Sequence, residues 1–187
     1  MGSEMCIRDR PHVVSAMPEE AAVCLGYLEQ ALKLDPNYAI AHAYMAAALE
    51  TQFMRGGRDP AHATAAVRHA RAALTFGGDD PTALAVASLI ILHLGHDFEA
   101  ASGAIARAIA LNPSSADAHF FGAHIHAHSG DVATAEGLAS RALRLSPFDS
   151  LSHLALNALG TSGCAKDGST KPPPNIPRPC RRTLDSA

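Results

Sequence analysis

An all-α fold, built as an antiparallel helix-pair solenoid, is predicted by three features of this 187-residue chain. Alanine is abundant and tryptophan absent. Small side chains let helix backbones approach closely, which suits helix-on-helix layers. A helix-ending pattern recurs four times, and a second apolar, helix-compatible stretch follows each terminator.

The four endings are LEQALKLDPN, VRHARAALTFGGDD, AIARAIALNPS and GLASRALRLSPFD. Their terminators are Pro36, Gly78, Pro113 and Pro147, separated by 42, 35 and 34 positions. Small or apolar residues recur at fixed distances before each. Five before stand Ala31, Ala73, Ala108 and Ala142. Eight before stand Leu28, Ala70, Ile105 and Ala139, and twelve before stand Cys24, Ala66, Ala101 and Ala135. Offsets of three and four place each set on one helical face, where small residues allow a partner helix to nest. Proline then blocks propagation.

The stretches NYAIAHAYMAAALE, SSADAHFFGAHIHAHSGD and FDSLSHLALNALG follow Pro36, Pro113 and Pro147. His42, His119 and His153 each stand six residues after their proline, and Met45, Gly122 and Leu156 nine after. Gly95-His96-Asp97 and Gly130-Asp131 read as the turns between paired helices. Asp79-Asp80-Pro81 reads as a turn leading into a helix, because proline suits the first helical turn. Asp35, Asp97 and Asp131 also fall at turns. About eight extra residues around MRGGRDP, Gln52–Pro60, predict a longer loop in the second repeat.

The chain divides into three expected parts. Residues 11–160 carry the helical repeats. The segment Met1–Arg10, MGSEMCIRDR, back-translates to a string resembling the end of a transposase-type sequencing-library adapter, with a GTG start for Met1, and is expected to carry no function. From Thr161 the composition changes, and Pro172, Pro173, Pro174, Pro177 and Pro179 rule out a regular helix there. Two readings of 161–187 stand: a natural proline-rich tail, or a shifted reading frame whose alternative codons permit another helix of the repeat type. The first repeat lacks most of its first helix and the last lacks its second. The solenoid is therefore expected to be truncated at both ends, with apolar faces open.

Hydrophobic residues make up 48% and charged residues 18%, with a net charge of −3. This excludes a general nucleic-acid or anionic-membrane binder, which needs a basic surface. The most apolar run, Ala83 to Leu94, is too short for a membrane span of roughly 20 residues. Cys6, Cys164 and Cys180 lie in the two suspect ends, leaving Cys24 in a helix and no disulfide framework. A reducing, cytoplasmic setting is expected.

Candidate chemistry is sparse. There is no Gly-x-Ser-x-Gly and no Gly-x-x-x-x-Gly-Lys, and Gly56-Gly57 and Gly77-Gly78 read as loops. No catalytic residue and no cofactor is expected. Histidine is the one abundant reactive type, with 11 in the chain. His124 and His128 share a helix face at i,i+4, as a zinc pair can, and His119 and His126 share another. No Asp, Glu or Cys is clearly placed to close a site, although Asp131 is near in sequence. The histidines are expected to serve packing or a groove, without a metal.

The repeat resembles the tetratricopeptide-repeat family from about Glu19 to Gly160. The resemblance rests on the Ala-(Leu/Ile)-x-(Leu/Phe)-x-(Pro/Gly) endings and on the period near 34 residues. His or Leu replaces the family's usual large aromatic early in the first helix, and Gly78 replaces proline in the second repeat. The wording is similar to tetratricopeptide regions of bacterial multidomain regulators that carry nucleotide-cyclase or winged-helix domains. The resemblance implies a protein-interaction scaffold, a fragment of a larger bacterial regulatory protein. Its partner would be a protein or peptide, or another domain of the same parent chain. Two alternatives are a regulatory module of a signalling enzyme and a metal-binding helical protein using the His119–His128 cluster. In this architecture the first helices line a concave groove. Its expected lining is Ile40, Ala43, Ala47, Val86, Ile90, His93, Phe120 and His124, with Phe120 as the exposed anchor.

Overall fold

The computed structural model describes residues 17–166, with side chains described for 17–160. The segment Met1–Arg10 and the tail beyond Lys166 lie outside the described residues. Among those described, every regular element is a helix. In chain order these are α1 (Pro18–Leu34), α2 (Ala39–Arg55), α3 (Pro60–Phe76), α4 (Pro81–His93), α5 (Phe98–Leu111), α6 (Ala116–Ser129), α7 (Val132–Leu145) and α8 (Ser152–Lys166). The last helix thus runs six residues past the expected end of the repeats. No described helix is long and apolar enough to cross a membrane.

The helices start where the sequence supplies an acceptor for otherwise unpaired N–H groups. Asp80 Oδ1 accepts from the Thr82 and Ala83 amides, Asp97 Oδ1 from Ala100, and Asp131 Oδ1 from Thr134. Asp59 and Ser115 cap α3 and α6 in the same way. Pro18, Pro60 and Pro81 occupy first-turn positions, where the missing N–H costs nothing. Gly130 closes α6 in the left-handed region, at φ 82°. Gly77 serves a close approach instead. A Cβ there would come within 2.7 Å of the Ala73 carbonyl oxygen and within 3.0 Å of the Ala39 and Ala83 methyls.

Packing follows the twofold alternation of the repeat. Helices α2, α4, α6 and α8 pack side by side as one layer, and α1, α3, α5 and α7 pack each against the neighbouring members of that layer. The twelve repeat residues at five, eight and twelve positions before the terminators are all buried. They account for every fully buried residue of α3, α5 and α7, and for all but Ala21 in α1. The outer helices therefore bury one narrow stripe of small residues. The inner helices are buried more widely, with seven buried residues in each of α2, α4 and α6.

One expectation is corrected. The extra residues of the second repeat do not form a longer loop, since 56–59 and 94–97 are both four-residue connections. The extra length lies in the helices, because α2 and α3 each have 17 residues where α4 has 13 and α5 has 14. The chain absorbs the insertion by adding whole helical turns, which satisfies its backbone N–H and C=O groups without a long loop. Leu156 departs from its counterpart Met45. Met45 is buried and Leu156 exposed, and no described helix packs beyond α8.

Candidate functional site

A groove of about 780 Å³ runs across the inner layer. From α2 it takes Tyr44, Ala47 and Met54, from α4 Val86, Leu89 and Ile90, from α6 Phe121, from α8 Leu154, and from the connection before α8 Leu151. Its register repeats. Tyr44, Val86 and Phe121 each stand eight residues after their terminator, so three neighbouring inner helices, α2, α4 and α6, present a large side chain at the same level. Phe148, in the connection before α8, stands almost fully exposed at the groove edge. Glu50, Asp117 and Asp149 line it against a single arginine, Arg55, with His93 and His153 between.

Of the residues expected to line this face, Ala47, Val86, Ile90 and His93 do so, while His124 lies behind His93 and off the lining. Ile40 packs half-buried against the core, and Ala43 lies in it. Phe120, the expected exposed anchor, is 0% exposed and belongs to the core. The expected face is displaced by one residue. In α2, α4 and α6 the side chain seven positions after the terminator is buried, as Ala43, Ala85 and Phe120 all are, and the one eight positions after faces the groove; in α8 the order reverses, with Leu154 on the groove and Ala155 buried. The reason is that α6 lies between α4 and α8 in the layer and carries α5 and α7 on its other side. A turn of about 100° away from buried His119 therefore leads into a second packed seam. Phe121 and Tyr44, missed in the sequence, are the aromatic side chains of the groove floor.

The histidines six residues after their terminators hold the starts of the inner helices. His42 Nε2 lies 2.9 Å from the Pro36 carbonyl oxygen, His119 Nδ1 2.8 Å from that of Ser115, and His153 Nδ1 2.8 Å from that of Ser150. His42 also meets α3, its Nδ1 lying 2.8 Å from His69 Nδ1, with the Phe76 ring alongside. Burial, then the neighbouring His42 and Arg68, lowers the His69 pKa to about 4.

A polar chain crosses one side of the groove. Glu50 Oε1 on α2 lies 2.6 Å from His93 Nδ1 on α4, and His93 Nε2 lies 2.9 Å from His124 Nε2 on α6. His128 continues it, with its ring centroid 4.2 Å from that of His124 and its Nδ1 2.9 Å from the His124 carbonyl oxygen. Burial, then His128, His93 and His153, lowers the His124 pKa to about 3. The sequence pairs His124 with His128, but nothing local points to His93 or Glu50, which come from two other repeats. Among the described residues no group of three ligand side chains is already arranged around a metal.

The fold and groove define an all-α helix-repeat protein with an apolar, acid-edged trough on its inner layer. No protein-family model matches the chain, and no curated protein matches it.

Proposed function

We propose that this chain is a binding module whose inner groove holds an apolar segment of another polypeptide, or of another domain of the same parent chain. The observation that carries the reading is the register of Tyr44, Val86 and Phe121, one large side chain from each of α2, α4 and α6 along the trough. Such spacing suits a ligand that runs across the repeats and places successive apolar side chains between them. Glu50, Asp117 and Asp149 outnumber Arg55 along the same trough, which favours a segment with a flanking lysine or arginine. The helical pairs and their period support placing the chain with tetratricopeptide-type scaffolds, as an interaction region of a larger bacterial regulatory protein.

The test is selection from a random peptide library on the immobilised chain, followed by calorimetry of the enriched peptides. Enriched sequences are expected to combine apolar side chains with Lys or Arg. Leu89→Asp, on the groove, is expected to weaken binding at least tenfold, by roughly the 2 kcal/mol of an interface anchor. Ala106→Glu, on exposed α5 surface, should leave it intact. Peptides that bind equally well to the Leu89→Asp protein would remove the groove as the site.

A further inference from the structure

We propose that His93 and His124 form an open transition-metal site, binding one Zn²⁺ between their Nε2 atoms where α4 meets α6. The two nitrogens face each other at 2.9 Å. Two imidazoles on a tetrahedral zinc, with Zn–N near 2.0–2.1 Å, need about 3.3 Å between nitrogens. The metal therefore requires the rings to part by only a few tenths of an ångström and the His124 proton to move from Nε2 to Nδ1, which frees the second Nε2 lone pair. Glu50 supplies the second element of such a site. Its Oε1, 2.6 Å from His93 Nδ1, takes the Nδ1–H and leaves the Nε2 lone pair pointing at His124. A carboxylate behind a histidine fixes the tautomer and raises ligand basicity.

His128 is oriented for the same role. Its Nδ1 donates to the His124 carbonyl oxygen at 2.9 Å, which leaves its Nε2 as the free lone pair. The three ring centroids are 4.2, 5.1 and 6.2 Å apart, and rings sharing a tetrahedral zinc stand about 5 Å apart. No three ligand groups among the described residues already converge on one point. The proposal thus rests on the His93–His124 pair, with the His128 ring beside it, 4.2 Å from that of His124. His42 and His69 are the other close imidazole pair, at 2.8 Å, but the ring of Phe76 stands beside His42 where the first pair has a third histidine. Because His93 lines the groove, the remaining coordination positions are open to water and to a donor from whatever lies there.

Zn²⁺ is titrated into the chelator-treated full chain, with heat of binding and melting temperature as readouts. One zinc equivalent is expected to bind and to raise the melting temperature. His93→Ala and His124→Ala should each abolish that binding, and Glu50→Gln should weaken it about tenfold, as loss of an orienting partner does. His69→Ala should leave it unchanged. Helical circular dichroism checks each variant. If His93→Ala does not fold, His93→Gln, which has no imidazole, reads the same loss. No zinc-dependent heat or stabilisation, binding that survives both histidine variants, or an equal loss in His69→Ala each overturns the proposal. Peptide binding is measured separately without metal, so failure of the zinc site leaves the groove reading standing.

Discussion

His93 Nε2 on α4 lies 2.9 Å from His124 Nε2 on α6, and this contact joins two repeats through residues 31 apart in sequence. Glu50, 43 residues before His93, extends the line to a third repeat. With the carboxylate ionised, His93 donates through Nδ1 and accepts through Nε2, so His124 must donate through its own Nε2–H. The protonation of each ring is thus set by its neighbour. Among inner helices buried mainly through alanines, aliphatic side chains and the α6 phenylalanines, this is a directional link across three helices.

Ala142→Asp is expected to destabilise the fold far more than His128→Ala. Ala142 is fully buried in the stripe that α7 presents to the inner layer. A carboxylate there has no partner and costs several kcal/mol. His128 is exposed, and its ring bonds to the carbonyl of its own helix, so in metal-free buffer its loss should stay within about 0.5 kcal/mol. Denaturant midpoints of the two variants decide this, and equal midpoints would contradict it.

That stripe was legible in the sequence because an outer helix buries a single face. Small residues spaced three and four apart then mark the face from local pattern alone. The inner helices offer no such contrast. In α6 the run from Ala118 to Ala123 is buried throughout, so the pattern cannot say which side chain faces the groove. Phe120 and Phe121 are adjacent, equally apolar, and opposite in fate. The insertion in the second repeat misled for a related reason. Gly56-Gly57 signals a loop correctly, but nothing in composition shows that the helices on either side lengthen by whole turns. The link from Glu50 through His93 to His124 joins three repeats, and no local spacing encodes it.

Two glycine substitutions near the α6–α7 turn should have opposite signs. Gly130 adopts φ 82°, and a Cβ there would meet nothing within 4 Å. Gly130→Ala therefore incurs only the left-handed backbone penalty, about 1 kcal/mol. Gly137 lies exposed within α7 with equal free space around it. Gly137→Ala should stabilise by up to about 1 kcal/mol, the gain in helix propensity. Thermal unfolding of both variants tests the pair, and destabilisation by Gly137→Ala would show that the α7 backbone needs the glycine.

Stability should fall on mild acidification, in part through His69. Its folded-state pKa is lowered from 6.5 to about 4, by burial first and then by His42 and Arg68. Between those values the unfolded chain binds a proton that the folded chain refuses. The penalty therefore begins as pH drops through 6.5, grows toward 4, and levels off below it. Because the ring is only half-buried, the slope should be well below the roughly 1.4 kcal/mol per pH unit of a full proton difference. His69→Gln removes the titration while keeping a polar partner for His42. Denaturant midpoints between about pH 7 and pH 5 should show a shallower decline in this variant. An identical decline would assign the acid sensitivity elsewhere.

Phe120→Ala and Phe121→Ala should separate folding from binding. Phe120 is fully buried in the core, so truncating it removes packed ring atoms and leaves a cavity. Such a change costs about 3–5 kcal/mol, enough to unfold much of a marginal domain at working temperature. Phe121 is 8% exposed and lines the groove beside Val86 and Leu154. Its truncation removes less enclosed packing and should cost the fold distinctly less, but it deletes one of the three large side chains at the recurring groove level. For a segment seated across the inner layer, losing that side chain should weaken binding by about 2 kcal/mol. The measurement pairs unfolding midpoints with calorimetry of a groove-selected peptide. Calorimetry is run on Phe121→Ala below its unfolding transition, so the affinity change is not a folding loss. Phe121→Ala binding as tightly as the parent chain would remove Phe121 as an anchor. A Phe120→Ala protein as stable as the Phe121→Ala one would contradict the one-residue register found in α2, α4 and α6.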